Sequence, residues 1–498
     1  MAYPPVPPAP VRTPFGTVKT IVFNAQKKLE EKYSELVMDP IWQRWFARLQ
    51  MNVDFVESAV ANLDQSFLTA VAEAGLANSR RVIAGTGILI DDNGAGSTFE
   101  ISTAGPFLYP LFPGVLFGGA NATSGYSGIF GAQVGSVLGP LCLPVSGFIQ
   151  NHSRYVASAL GQGEYNTVQF VDDSSPERLS PLLTALPEDT GVIRSIAAPT
   201  FYSVGNLLGH KKIIPTAAAG GSTWSSEFSP DIDCDLIGNA FAGTVPTVAI
   251  GATRYGPFFH GNNAAAAWLL ATETDTGFVI PIPGELRKLA FLLANGQPGD
   301  GSLVYTLRLN GAPSSITQTV PAGSGGAFDT PWTDFVNTEA IVAGDWITQE
   351  FVNNSPTLVS AALRSQCIVF VPTTAGSRMI GAHVGSAFGA GTTNYSTPRC
   401  RFFSTTQANQ EWPCPRSGII RKLYAFVSTA GTALTLTLML NGVATALTGT
   451  ASSAGVVEVD LVNEVTVSQE DYICMRMAQT AAGGAVLASW SAEWAEAA

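Results

Sequence analysis

A stretch beginning at residue 284 returns about 130 residues later, and this return limits the folds open to the chain more than any other feature. Gly284-Glu285-Leu286-Arg287-Lys288-Leu289-Ala290-Phe291 is echoed, with one residue of slack, by Gly418-Ile419-Ile420-Arg421-Lys422-Leu423-Tyr424-Ala425-Phe426. Thr306-Leu307-Arg308-Leu309-Asn310-Gly311 is echoed by Thr437-Leu438-Met439-Leu440-Asn441-Gly442, and Gly344-Asp345-Trp346-Ile347 by Glu470-Asp471-Tyr472-Ile473. The spacings drift in one direction, through 134, 131 and 126 residues, as short loop changes would make them.

A fainter copy comes first. Pro144-Val145-Ser146-Gly147-Phe148 corresponds to Pro281-Ile282-Pro283-Gly284-Glu285, and Thr167-Val168-Gln169-Phe170 to Thr306–Leu309. Val204-Gly205-Asn206-Leu207-Leu208 falls where Ala343–Ile347 falls, and Ser222–Phe228 closes this copy as Ala488–Trp494 closes the last. Runs such as Thr435-Leu436-Thr437-Leu438-Met439-Leu440, alternating and ending on Asn-Gly, read as half-buried strands entering a turn. A period this long is a whole domain and not a solenoid turn. The chain is therefore expected to be mainly β, with three tandem jelly-roll-like β-sandwiches at 106–236, 237–373 and 374–498.

The N-terminal quarter is of another kind. Six prolines up to Pro14 predict an extended docking segment over residues 1–15. An amphipathic pattern runs from Gly16 to Val37, and Asp39-Pro40 is a helix start, with Asp as N-cap and Pro at the first helical position. Trp42, Phe46, Leu49, Val53, Val56, Val60, Leu63 and Phe67 then follow in alternating steps of four and three. An unbroken 3.5-residue period predicts a coiled-coil seam within a helical anchor over 16–78. Val53 and Val60 with Leu49 and Leu63 lean toward two strands.

Two alternating runs around Asn93-Gly94 predict a β-hairpin connector over 79–105. With the Trp42-x-x-Trp45-Phe46 cluster before it, the run from Arg81 to Ser102 resembles the N-terminal region of phage tail-fibre and minor structural proteins. The three long repeats resemble jelly-roll modules found in tandem in phage appendages. These resemblances imply a virion protein, assembled in the host cytoplasm, that docks on other virion proteins through its N-terminus, usually as a homotrimer. They imply host attachment at the far end, to a surface glycan or protein. A head or neck decoration protein and an adsorption glycan hydrolase are the alternatives.

Composition removes several other classes. A net charge of −12 is unfavourable for nucleic acid and for anionic lipid. No apolar run reaches the roughly 18 residues of a membrane span, and the first residues do not form a signal peptide. Six scattered cysteines, at 142, 234, 367, 400, 414 and 474, fit buried thiols better than a zinc site, with Cys400 and Cys414 the one pair near enough to bridge. His152, His210, His260 and His383 are isolated from one another, and Gly125-Tyr126-Ser127-Gly128 falls short of a nucleophile elbow. No cofactor, metal or catalytic residue is expected. Asp231, Asp233 and Asp235 could line one strand face around Ca²⁺, but a solvated interdomain linker is the preferred reading. For receptor contact the loop from Gly389 to Pro415 is the choice. It carries Asn394, Tyr395, Arg399, Arg401, Phe402, Gln410 and Trp412, whose rings suit sugar faces and whose polar groups suit sugar hydroxyls; the alternative, favoured for any single residue, is that Tyr395 and Trp412 pack between subunits or neighbouring domains.

Overall fold

The computed structural model describes strand residues from Leu68 onward and, with interruptions, residues 141–496. The seam from Trp42 to Phe67 and the proline-rich lead lie outside the described residues. The chain falls into two compact units, Met1–Pro106 and Phe107–Ala498. In the first, β1 (Leu68–Thr69) pairs in parallel with β2 (Arg80–Arg81), where a helix was expected to run on. β3 (Leu89–Asp92) and β4 (Phe99–Ser102) pair antiparallel with Leu89 opposite Ser102, as the alternation around Asn93-Gly94 requires.

The second unit is built of antiparallel sheets, and its chain follows one path three times. The first passage comprises β5 (Tyr109–Leu116), β6 (Gly125–Ser127), β7 (Val134–Gly135), β8 (Leu141–Cys142), β9 (Gly147–Val156), β10 (Asn166–Asp172), β11 (Leu183–Ala185), β12 (Gly191–Ser195), β13 (Thr200–Tyr202), β14 (Leu207–Ile213) and β15 (Ser222–Pro230). The second comprises β16 (Asp235–Ala240), β17 (Thr247–Val248), β18 (Thr253–Gly256), β19 (Phe278–Val279), β20 (Gly284–Leu293), β21 (Leu303–Leu309), β22 (Ala312–Val320), β23 (Trp332–Ile341), β24 (Trp346–Asn353) and β25 (Ala361–Pro372). The third comprises β26 (Ser377–Ala387), β27 (Thr393–Ser396), β28 (Phe403–Ser404), β29 (Trp412–Pro413), β30 (Gly418–Thr429), β31 (Leu434–Leu440), β32 (Val443–Ala451), β33 (Gly455–Val467), β34 (Tyr472–Gln479) and β35 (Val486–Glu496).

One sheet of each passage has the order β5-β15-β9-β12, β16-β25-β20-β23 or β26-β35-β30-β33. Its partner has the order β6-β14-β10-β11, β18-β24-β21-β22 or β27-β34-β31-β32. A short strand joins the second sheet at the same place each time: β8 on β14, β19 on β24, β29 on β34.

The alternation in sequence explains the two-sheet packing. Along β21 Leu303, Tyr305 and Leu307 are buried while Val304, Thr306 and Arg308 are less so. Phe291 of the facing sheet stacks on Tyr305 at 5.5 Å between ring centroids, so both sheets share one core. Each fully buried large side chain contributes about 1.5–3 kcal/mol.

The Asn-Gly turns have the left-handed backbone that tight hairpins demand, with Asn310 and Asn441 at φ 52° and 50° and Gly311 and Gly442 at 79° and 82°. An acidic residue on the next turn fixes each one: Asp345 accepts from Asn310 Nδ2 at 2.7 Å and Asp471 from Asn441 Nδ2 at 2.5 Å. Cys142, Cys367 and Cys474 are buried thiols, and burial raises the thiol of Cys142 to about 12. Cys400 lies outside the described residues.

Candidate interaction surface

The loop chosen from sequence for receptor contact is mostly inside the molecule. Arg399, Gln410 and Trp412 have no solvent exposure, and Asn394 has 8%. Tyr395 is half-buried on β27, and Arg401 and Phe402 lie outside the described residues. Trp412 meets Trp494 edge-on, with centroids 6.0 Å apart, in the core of the third double sheet. Gln410 accepts from Thr397 Oγ1 through both its backbone and its side-chain oxygen, each at 3.0 Å. Groups so enclosed cannot meet a receptor, and Arg399, Gln410 and Trp412 are withdrawn from that role.

Arg399 shows why the loop turns inward. Its Nη2 donates to both carboxylate oxygens of Asp235, at 2.7 and 2.6 Å, and to the carbonyl of Met379 at 2.6 Å. Both ion-pair partners are fully buried. Its guanidinium lies 5.4 Å from the centroid of the Phe259 ring. Asp235 also accepts from the backbone N–H of Met379 at 3.1 Å, and Arg378 pairs with Asp233. Of the acidic run read as a solvated linker, Asp235 is a buried joint between the second and third double sheets and Asp233 a partly exposed one, while Asp231 lies outside the described residues. A carboxylate can be buried here because cations from the next sheet meet it. No group of three or more His, Cys, Asp or Glu side chains able to hold a metal occurs among the described residues.

The two most exposed large apolar side chains among the described residues are elsewhere, on the edge strands β23 and β33; Val204, Val342 and Val443 are exposed as well. Val336 is 87% exposed and Val462 90%, each beside a residue at 42%, Phe335 and Leu461 respectively. Each pair sits on an extra stretch of chain. Arg287 pairs with Thr338 and Leu289 with Asp334, so Phe335, Val336 and Asn337 stand opposite Lys288 alone. Likewise Arg421 pairs with Glu464 and Leu423 with Asp460, leaving Leu461, Val462 and Asn463 opposite Lys422. Lys288 and Lys422 adopt φ 52° and 55°, the left-handed kink that lets the partner strand loop out.

A carboxylate holds each bulge. Asp334 accepts from the backbone N–H of Val336 at 3.2 Å, of Asn337 at 3.1 Å and of Thr317 at 3.1 Å, and from Asn337 Nδ2 at 2.9 Å. Asp460 accepts from Val462 at 3.0 Å, Asn463 at 3.0 Å, Thr448 at 3.1 Å and Asn463 Nδ2 at 2.9 Å. Burial by itself would raise both carboxyls, yet these donors outweigh it and hold each below the usual carboxylate range. The result is a rigid, solvent-facing apolar pair on two copies. In the first copy the corresponding position falls between Ser195, opposite His152, and Thr200, opposite Ile149, where residues 196–199 lie outside the described residues.

Sequence reasoning missed these tips, although Asp334-Phe335-Val336-Asn337 and Asp460-Leu461-Val462-Asn463 stand 126 residues apart, a spacing the repeat already contained. Nothing in sequence distinguishes a looped-out Val from one facing a core.

No family model matches the chain, and no curated protein matches it. Among solved structures, a xanthan lyase from Paenibacillus aligns over 59% of this chain and 30% of its own length, at 11% identity and a TM-score of 0.17. A likeness that slight carries no argument about fold or activity.

Proposed function

We propose that this chain is a non-enzymatic structural protein of a bacteriophage particle: a tail fibre that docks through its N-terminal residues and meets the host surface through its β-rich part. The observation that supports this reading most is the strand order. Two five-stranded sheets with the main orders β16-β25-β20-β23 and β18-β24-β21-β22 are compatible with the two halves of a jelly roll, an architecture that recurs in viral coat and lectin domains. The chain has three such passages after a hairpin whose sequence resembles phage fibre proteins. The seam from Trp42 to Phe67 is assigned to joining copies, three of them by that resemblance.

Contact with the host is assigned to the bulge tips in place of the loop around Arg399. A fixed apolar pair in water gains by being covered, and its rigid backbone lowers the entropy lost on binding. Two experiments test the proposal. Antibody against the full chain should label the tail of the encoding phage in electron micrographs. The purified full chain should also compete with phage adsorption, and Val336→Asp with Val462→Asp should lower that competition at least tenfold while the fold is kept. Labelling of the head or neck, with no competition, would replace host attachment by particle decoration. Absence of labelling on the particle would end the virion reading.

A further inference from the structure

The contacts between the three double sheets form a cycle. β8 of the first lies against β20 and β25 of the second, β19 of the second against β30 and β35 of the third, and β29 of the third against β9 and β15 of the first. By strand order β8, β19 and β29 are one element, and so are β9, β20 and β30, and β15, β25 and β35. One heterologous contact is thus made three times, and the third closes on the first.

The residues agree in detail. Cys142 pairs with Leu207, Val279 with Trp346 and Pro413 with Tyr472, each time across the short added strand. Leu207 clusters with Leu292, Trp346 lies 4.9 Å from Phe426 between centroids, and Tyr472 lies 4.7 Å from Tyr155. Leu292, Phe426 and Tyr155 each stand at the eighth position after the glycine that opens their strand (284 to 292, 418 to 426, 147 to 155). At the closing contact the Tyr155 hydroxyl also donates to Glu411. The opening strands converge as well: β5 approaches β16, and Asp235 on β16 holds Met379 on β26.

We infer that the β-rich part of one chain is a closed pseudo-trimer, a ring with approximate three-fold symmetry that leaves none of its three like contacts for another copy. A heterologous contact that did not close would leave β9 and β15 of the first double sheet and β29 of the third exposed, and copies would add head to tail. Closure removes that route, so any association of chains falls to other residues.

The buried charges fit a ring made within one chain. Phe259 and Arg399 are equivalent, with φ 54° and 59° and with their N–H groups bonded to Gly238 and Gly381. Asp235, opposite Phe370, and Arg378, opposite Trp494, are equivalent as well. Arg399 lies against its own equivalent, Phe259; three identical chains would set like guanidinium groups together there, whereas a fused chain can face one with an aromatic ring.

The inference does not depend on what the protein attaches to. Its test is a photo-crosslinking benzoylphenylalanine placed at Tyr155 in the full chain, followed by denaturing electrophoresis and peptide mapping. The expected product has the mass of one chain and joins residue 155 to residues 411–413 or 472, with at least a tenfold loss of that product on Tyr472→Ala. Because the gel is denaturing, chains held together elsewhere do not interfere. A product of two or more chains at this site would overturn the inference, as would a single-chain product joined elsewhere or no product at all.

Discussion

The second and third double sheets share a strand path, but their two most distinctive loops have diverged to different degrees. The bulge tips are nearly identical: Asp, an apolar residue, Val and Asn, with the same four hydrogen bonds to the carboxylate. The loops at Phe259 and Arg399 share a left-handed backbone and one hydrogen bond, yet one carries an aromatic ring and the other a guanidinium. The tip is closed by its own strand neighbours, so its chemistry can repeat wherever the fold repeats. The Phe259 and Arg399 loops face a different neighbour in each copy, and each has been shaped by that neighbour. Local closure keeps a motif constant; contact with another domain diversifies it.

This contrast should be largest at the joint. Arg399→Ala strands the buried Asp235 carboxylate and is expected to cost about 3–5 kcal/mol, read from urea unfolding followed by tryptophan fluorescence. Replacing both partners by apolar groups, Asp235→Leu with Arg399→Met, should recover most of that loss, because no lone charge remains. If the single variant were neutral, the joint would not be holding the two double sheets together.

At the tips the effect should be smaller and equal in the two copies. Asp334→Ala and Asp460→Ala each remove an acceptor from four donors and should cost about 1–3 kcal/mol. Unequal losses would mean that the tips are not the self-contained motifs described above. The sign with pH follows from the lowered carboxyls. Their stabilisation is complete above the unfolded-state value near pH 4 and disappears as pH falls through the lower folded value. The urea midpoint should therefore fall below about pH 4, and Asp334→Asn with Asp460→Asn should flatten that part of the profile. Smallest of all, Val336→Asp and Val462→Asp should shift stability by no more than about 0.5 kcal/mol, since both side chains already face water, while weakening surface binding.

What could be read from sequence divides along the same line. Alternating Leu and Thr before Asn441-Gly442 announced β31 and its turn, because strand period and turn chemistry are local. The shared Gly-x-x-Arg-Lys-Leu segment marked β20 and β30 together, and its lysines prove to be the kinks opposite the tips. The burial of Arg399 was not legible. Its partner lies 164 residues earlier, and a loop rich in Arg, Tyr and Trp reads equally well as a joint or as a binding surface. The ring was hidden for the same reason: its contacts join Leu207 to Leu292, Trp346 to Phe426 and Tyr155 to Tyr472, pairs that no local pattern relates.

The closing contact between Tyr155 and Tyr472 has a consequence for how the molecule comes together. Three separate subunits must find one another by diffusion, and they separate again on dilution. Tethered modules meet at an effective concentration set by the linkers alone, often in the millimolar range. A chain of this design completes its three-fold body without meeting a second copy, at any expression level, and a scarce protein gains most from this.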